Sequence, residues 1–361
     1  MLEKDQKLLY DPATMKALVL KADKIIEFTD IPMPQQPEAH WVLVQVAWAG
    51  ICNSDIKRGF GGGAYHYPLI MGHEFSGTVA ESFSGSRFST GDRVVVYPLL
   101  PCRNCAACQT GDYAQCRDYD YFGSRRDGGF TEFVYVPENN LVPVPANVDL
   151  LHAALTEPCS IAVHGVNHFD VHPGDTAVVI GFGPIGNMVA QWLGIRGCTP
   201  IFTVDIDDQK LELAGKMGFI PINSQKTDPV AFVYEQTEGQ GADRVVEACG
   251  LPHTFLQAIQ AAGRFAEVLF LGNIHGQFSI GEKDFSAILR KELKILGTWN
   301  SRIIPRGHND WTTALEYMER KLEVAPLISH TLELREGPRV FEQIAEGSFG
   351  SFGRIIFRIH P

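Results

Sequence analysis

Cys102, Cys105, Cys108 and Cys116 are spaced C-x2-C-x2-C-x7-C, in a stretch opened by Pro98 and Pro101. Thiols this close in sequence pair poorly as disulfides, whereas four of them suit tetrahedral, all-thiolate coordination. A zinc held this way has every position filled, so its role is structural: it holds together an excursion with little core of its own. An iron–sulfur cluster is the rival. Its bacterial run closes C-x3-C-P, however, and here the fourth cysteine comes later and is followed by Arg117. A second set is scattered, with Cys52 in ICNSD, His73 and Glu74 in MGHEFSG, and Glu157 in TEPCSIAVHG. A thiolate, an imidazole and a carboxylate can ligate one zinc and leave a position open for water or substrate. Spacing alone does not join residues so far apart. Taken singly, they read as a buried thiol, a hydrogen-bonded core histidine and surface acids.

A third motif lies in TAVVIGFGPIGNMVA, Thr176–Ala190. The apolar run Ala177–Ile180 enters a turn containing Gly181, Gly183 and Gly186, and an apolar segment over 187–195 follows. G-x-G-x-x-G between a strand and a helix permits a tight turn and a close backbone approach to a pyrophosphate. The phosphates then meet amide donors at the helix N-terminus, here around Gly183, Pro184 and Ile185. The next strand, over 201–204, ends at Asp205, where an acid accepts hydrogen bonds from an adenosine ribose. An acid there repels a 2′-phosphate, and Ile206 and Asp207 follow it in place of an arginine, so NAD is expected over NADP. Thr176–Ile195 has no charge and mimics a membrane span by hydropathy, but its glycines, Pro184, Asn187 and Gln191 argue against one.

These elements sit in a chain of 361 residues, 45% hydrophobic, enough for two domains with sizeable cores. The net charge of −11 disfavours a nucleic-acid binder, which needs a basic face. It also means that an anionic substrate needs a local basic pocket. MLEKDQKLLYDPAT mixes charges and has no apolar core, so it reads as an extension and not as a signal peptide. Eight cysteines without a secretory signal point to a reducing compartment, with the cytoplasm as the default.

The spacing predicts strands over 15–20 and 41–49, the latter with Val42, Val44 and Val46 in period two. Short apolar runs broken by glycine and proline continue to about Val144, giving a β-rich domain. From Asp175 strands and helices alternate, with strands over 244–248, 265–271 and 294–296 and a helix over 254–262. That pattern stops around 299–305. Trp311, Leu315, Met318 and Leu322 fall at helical spacing as core, and 354–359 reads as a strand returning to the first domain.

In order along the chain, C-x-S-D, GHE, the four-cysteine loop and GFGPIG together resemble the zinc-dependent medium-chain dehydrogenases. PLLPCRNCAACQTGDYAQC, YDYFGSRRDGGFTEF and LRKEL are most similar to the branch acting on polyol phosphates of the galactitol 1-phosphate kind. The resemblance implies an α/β protein in which a GroES-like catalytic domain (15–165 and 301–361, with the zinc loop 98–116) is split around a Rossmann domain (166–300). Residues 1–14 form the extension, and the active site lies in the cleft between the domains. It implies two zinc ions per subunit, one structural and one catalytic, with NAD as the second cofactor. Cys52 and His73 become catalytic zinc ligands, with Glu157 preferred over Glu74 as the carboxylate. Asp55 matches the acid that orients the ligand histidine, and Ser54 matches the hydroxyl that relays the substrate proton. Lys210 matches a basic position near the ribose. Leu271, Gly272 and Asn273, with Thr298, Trp299 and Asn300, match segments lining the nicotinamide. The implied chemistry is hydride transfer from the carbon of an alkoxide to the nicotinamide, leaving a ketone.

Arg58 stands where dehydrogenases of free polyols commonly carry a tyrosine. With Arg125 and Arg126 it could grip a phosphate, unless these arginines pair with acids such as Asp120 or Asp127. Asn53 and the flexible GFGGGA stretch after Arg58 depart from the family pattern beside the substrate. The same chemistry on a sorbitol-like polyol, an aminocyclitol or a simple secondary alcohol is the second reading, and a non-catalytic nucleotide-binding protein the third. No nucleic-acid or membrane partner is expected. Family members are homodimers or homotetramers, and the 265–280 edge is the place where a sheet could extend across a two-fold axis.

Overall fold

The computed structural model describes residues 13–304 and 308–360. Most of the expected extension over 1–14, and Pro305, lie outside the described residues. The chain forms two compact units. One comprises the residues up to Cys108, Cys116–Leu155 and the chain from His330 on; the other comprises Gln109–Gln115 and Thr156–Ser329.

In the first unit the central strand is Trp41–Gly50. Its alternating Val42, Val44 and Val46 are fully buried, as period-two patterning on a half-buried strand demands. It pairs antiparallel with Glu74–Glu81, with Phe133–Pro137 and with Arg354–Arg358. The last of these is the returning strand, and it places Ile356 opposite Gly50. A smaller sheet pairs Thr14–Ala22 with Ile25–Pro32 and Leu69–Ile70. Phe130 joins the layers, meeting Phe357 and Phe341 edge-on at 5.4 and 6.0 Å, a favoured aromatic geometry.

The second unit is a six-stranded parallel sheet with helices between the strands. Its order is Ile220–Asn223, Ile201–Asp205, Ala177–Ile180, Ala242–Glu247, Ala262–Phe270 and Lys294–Gly297. The chain starts at Ala177–Ile180, builds outward to one side, then returns to build the other. The strand order therefore reverses beside Ala177–Ile180, which is where a doubly wound sheet opens its ligand crevice. The helix predicted over 254–262 runs Pro252–Ala261, and Ala262 instead opens the next strand.

Helix Asp310–Arg320 buries Trp311, Ala314 and Leu315. It packs on helix Thr156–Val166, which packs on helix Pro184–Arg196. These contacts assign both helices to the second unit, whose main stretch runs from Thr156 to Ser329. The expected sheet edge over 265–280 is not an edge. Ala262–Phe270 is paired on both sides, and the outer strand is Lys294–Gly297; strand order is a tertiary property that periodicity does not carry. Among the described residues no helix is long and apolar enough to cross a membrane. Thr176–Ile195 divides into a strand, a turn and part of helix Pro184–Arg196.

Candidate active site and dinucleotide cradle

Register brings three of the four scattered candidates together. Gly50 stands opposite Glu74 in the antiparallel pair, so the residue two beyond one strand end and the residue just before the other meet at one sheet end. Cys52 is the N-cap of helix Asn53–Phe60, and the ligand atoms of Cys52, His73 and Glu74 all lie within 4.8 Å of one another. His73 and Glu74 are buried, at 5% and 0% exposure. Glu74 Oε1 accepts from Arg354 Nη1 at 2.9 Å, while its Oε2 is buried with no partner. A buried, unsatisfied carboxylate oxygen beside a thiol and an imidazole is costly unless a cation completes it, and the S, N, O donor set fits zinc.

Asp55 ties the two ends of this cluster. Its Oδ2 accepts from the Cys52 amide at 3.0 Å, and its Oδ1 lies 3.4 Å from His73 Nδ1. Burial alone would lower the His73 imidazole, but the negative charges of Asp55 and Cys52 outweigh it and hold the ring well above the ordinary histidine value. Burial likewise works against the Asp55 carboxylate, yet His73 and Arg58 keep its pKa below the usual range. Ser54 is half-buried in the first turn of the same helix. Glu157, the carboxylate favoured by sequence, is buried in the first turn of helix Thr156–Val166 and belongs to the other unit.

The four cysteines converge as their spacing requires. Cys105 Sγ lies 3.6 Å from Cys108 Sγ and 3.9 Å from Cys116 Sγ, and Cys102 Sγ lies 4.0 Å from Cys108 Sγ. Sulfurs about 2.3 Å from a central zinc stand about 3.8 Å apart in a tetrahedron, so the cage has the right size. Amide donors from Arg117 and Cys108 bring the Cys105 thiol down to about 6, whereas burial pushes Cys108 up to about 12. Amide donors lower Cys102 as well, and Cys108 is the thiol that a bound cation would have to ionise against its burial.

In the second unit, Gly181 has φ +96° and crowds Cys249 Sγ, at 2.6 Å from where a Cβ would stand. A Cβ at Gly186 would meet Gly181 O at 1.8 Å, so that position is closed by the turn itself. Gly183, the N-cap of helix Pro184–Arg196, has nothing within 4 Å of a Cβ. Its openness matches the space a pyrophosphate takes. Pro184 carries no N–H, so the donors left at this helix end are the amides of Gly183, Ile185 and Gly186, with proline presetting the first turn. Asp205 accepts from Phe182 N at 2.8 Å through Oδ2, and from Ile206 N and Asp207 N through Oδ1. Three of roughly four acceptor positions are used, leaving one for a ribose hydroxyl. Lys210 lies in the first turn of the following helix, its amide 3.4 Å from Asp207 Oδ1. Leu271, Gly272, Asn273, Thr298 and Trp299 line one cavity of about 320 Å³, walled by Phe255, Phe270 and Phe278.

The three arginines all have protein partners. Arg58 Nη1 donates to Asp55 Oδ1 at 3.0 Å. Arg126 Nε donates to Asp120 at 2.6 Å, with its guanidinium 5.0 Å from the Trp41 ring. Arg125 stacks on Tyr119 at 4.0 Å and Tyr65 at 5.0 Å, and donates to the Tyr119 carbonyl. Asp127 accepts instead from the Ile70 amide. Sequence reading missed Arg354 and Gly50. A lone charge opening the apolar run RIIF is the only local sign of Arg354, and its partner is 280 residues away.

Residues 38–146 match the alcohol dehydrogenase GroES-like domain, and residues 184–320 match the zinc-binding dehydrogenase domain. The chain is 32% identical to galactitol 1-phosphate 5-dehydrogenase of Escherichia coli over 345 residues, covering 95% of each. It is also 32% identical to sorbitol dehydrogenase of Halalkalibacterium halodurans, covering 92% of this chain and 97% of that one. The crystal structure of galactitol-1-phosphate dehydrogenase from Escherichia coli superimposes with a TM-score of 0.89 at 32% identity, covering 96% of this chain and all of the other. Matched along nearly its whole length, with a thiol–imidazole–carboxylate cluster in one unit and a glycine-turn parallel sheet in the other, the chain belongs to the zinc-binding alcohol dehydrogenases and is an oxidoreductase of the alcohol and polyol type.

Proposed function

We propose that this chain oxidises a secondary hydroxyl of a polyol phosphate, of the galactitol 1-phosphate kind, to the ketone, with NAD taking the hydride. The observation that carries the reaction class is the convergence of Cys52, His73 and Glu74 around an unsatisfied carboxylate oxygen. Zinc held by these donors would supply the Lewis acidity that makes an alcohol hydroxyl acidic near neutral pH. Glu74 is assigned as the carboxylate ligand because it shares the cluster; Glu157, the other choice, comes from the second unit. Ser54 accepts the hydroxyl proton as it passes its own on toward solvent, and Asp55 would fix the tautomer and orientation of His73 as a metal ligand. The amides of Gly183, Ile185 and Gly186 bind the pyrophosphate. Asp205, with Lys210 nearby, holds the adenosine ribose, and the cavity at Leu271–Asn273 and Thr298–Trp299 receives the nicotinamide. The substrate reading is supported by the likeness to galactitol 1-phosphate 5-dehydrogenase. Of the three arginines, Arg125 is assigned to the phosphate, because it meets tyrosine rings and a carbonyl, whereas Arg58 and Arg126 each bond a carboxylate.

A neutral polyol is the second reading, favoured by the partners that Arg58 and Arg126 already have. NADH formation by zinc-loaded protein with galactitol 1-phosphate, galactitol, sorbitol and ribitol 5-phosphate separates the two. Preference for a phosphorylated polyol, lost in Arg125→Ala through a raised KM, is expected; equal or better rates with the free polyols would transfer the assignment to them. Metal content of Glu74→Gln and Glu157→Gln decides the third ligand. The working form is read as a cytoplasmic homodimer or homotetramer, meeting along strand Lys294–Gly297. There Ile295, with Phe285 and Leu289 on helix Glu282–Lys291, is exposed.

A further inference from the structure

We infer that Arg58 is a positioning residue of the Cys52–His73 site, acting through Asp55, and is not a ligand of the substrate. The inference rests on the metal-site reading above. Cys52, Asp55 and Arg58 recur at three-residue spacing along helix Asn53–Phe60 and its N-cap, which puts them on one face. Asp55 has no solvent exposure. One of its oxygens holds the Cys52 amide, and the other accepts from Arg58 Nη1 at 3.0 Å and lies at ion-pair distance, 3.4 Å, from His73 Nδ1. The carboxylate therefore orients both the thiolate-bearing backbone and the imidazole, and Arg58 holds it in the rotamer that does so.

Charge points the same way. The cluster gathers three acidic groups, Cys52, Asp55 and Glu74, and Arg58 and Arg354 are the two arginines bonded to its carboxylates. Without Arg58, Asp55 would be a fully buried anion balanced only by the ring it is meant to orient, and such a group relaxes away from its partner. The Arg58 side chain is only 12% exposed and its Nε is sealed with no partner. A substrate phosphate would have to compete with Asp55 for the Nη1 edge of the guanidinium.

The test is metal retention and cobalt spectroscopy on the full-length protein. Zinc loss into a chelator is followed for the parent, Arg58→Met, Arg58→Lys and Asp55→Asn, alone and combined with Arg58→Met. Removing such an outer partner costs about 10–100-fold in metal affinity. Arg58→Met is expected to release the weaker-held of the two zinc ions 10–100-fold faster and to shift the visible bands of the cobalt-substituted protein. In the Asp55→Asn background, Arg58→Met should add little. KM for phosphorylated and free polyols should change by the same factor. The inference is overturned if Arg58→Met keeps metal retention and cobalt bands intact while raising KM for the phosphorylated polyol alone. It is equally overturned if the two substitutions add independently. If Arg58→Met does not fold, Arg58→Lys keeps the charge, loses the fork geometry and gives the same readouts at smaller amplitude. Cys52→Ser is the control for the underlying reading: retention of both metals there removes the site itself, an outcome distinct from a failure of Arg58.

Discussion

A Cβ on Gly50 would stand 2.9 Å from Glu74 Oε2, the one oxygen of that carboxylate without a partner. The glycine makes room for the acid to lie flat at the sheet end beside Cys52 and His73. Gly50→Ala is expected to displace the carboxylate, to cost about 1–3 kcal/mol as overpacking does, and to lower the metal content. Metal analysis of the purified variant beside a urea titration checks both effects. Full metal occupancy would show that Glu74 does not ligate.

Arg354 donates to Glu74 Oε1 and to the Ile51 carbonyl, and both charged side chains are buried. Removing one partner of such a pair leaves the other charged and desolvated, at a cost of about 3–5 kcal/mol. Arg354→Met should therefore unfold at lower urea than the parent, and Arg354→Met with Glu74→Gln should recover much of the loss. An additive double variant would mean the pair is not coupled.

Two glycines of one turn should behave differently. Gly186→Ala places a Cβ at 1.8 Å from the Gly181 carbonyl, whereas Gly183→Ala meets nothing. Gly186→Ala is expected to destabilise the fold. Gly183→Ala should melt near the parent temperature and bind NADH more weakly. Calorimetric melting and quenching of protein fluorescence by NADH separate these effects.

Cys108 is the thiol whose ionisation the four-cysteine cage must force, since burial pushes it up to about 12. Cys108→Ser should lose one metal, lower Tm by several degrees and leave the remaining metal in place, because metal binding to a structural site contributes directly to folding. Iron and sulfide in the parent protein in place of zinc would overturn the zinc assignment.

Leu289 and Ile295 are exposed at 64% and 38% beside the free edge of strand Lys294–Gly297. A glutamate at either position should weaken association if two copies meet along that edge. Light scattering after gel filtration is expected to show a lower mass for Leu289→Glu with Ile295→Glu. An unchanged oligomer places the interface elsewhere.

Everything that depends on local spacing was legible in the chain. The cysteine cage, the glycine turn with Asp205, and the alternation of strands and helices after Asp175 are determined within a few tens of residues. Tetrahedral coordination, tight turns and amphipathic periods are themselves short-range geometries. Register and strand order are not. Opposing Gly50 to Glu74, bringing Arg354 across 280 positions to that carboxylate, and placing Lys294–Gly297 at the sheet edge all follow from pairings between distant segments. The three arginines show the same divide. Their residue type announced an affinity for anions, but only packing decided which anion or ring each one meets: Asp55 for Arg58, the tyrosines for Arg125 and Asp120 for Arg126. A side chain's charge is intrinsic to the sequence, whereas its partner is set by whichever group the folded chain leaves desolvated beside it.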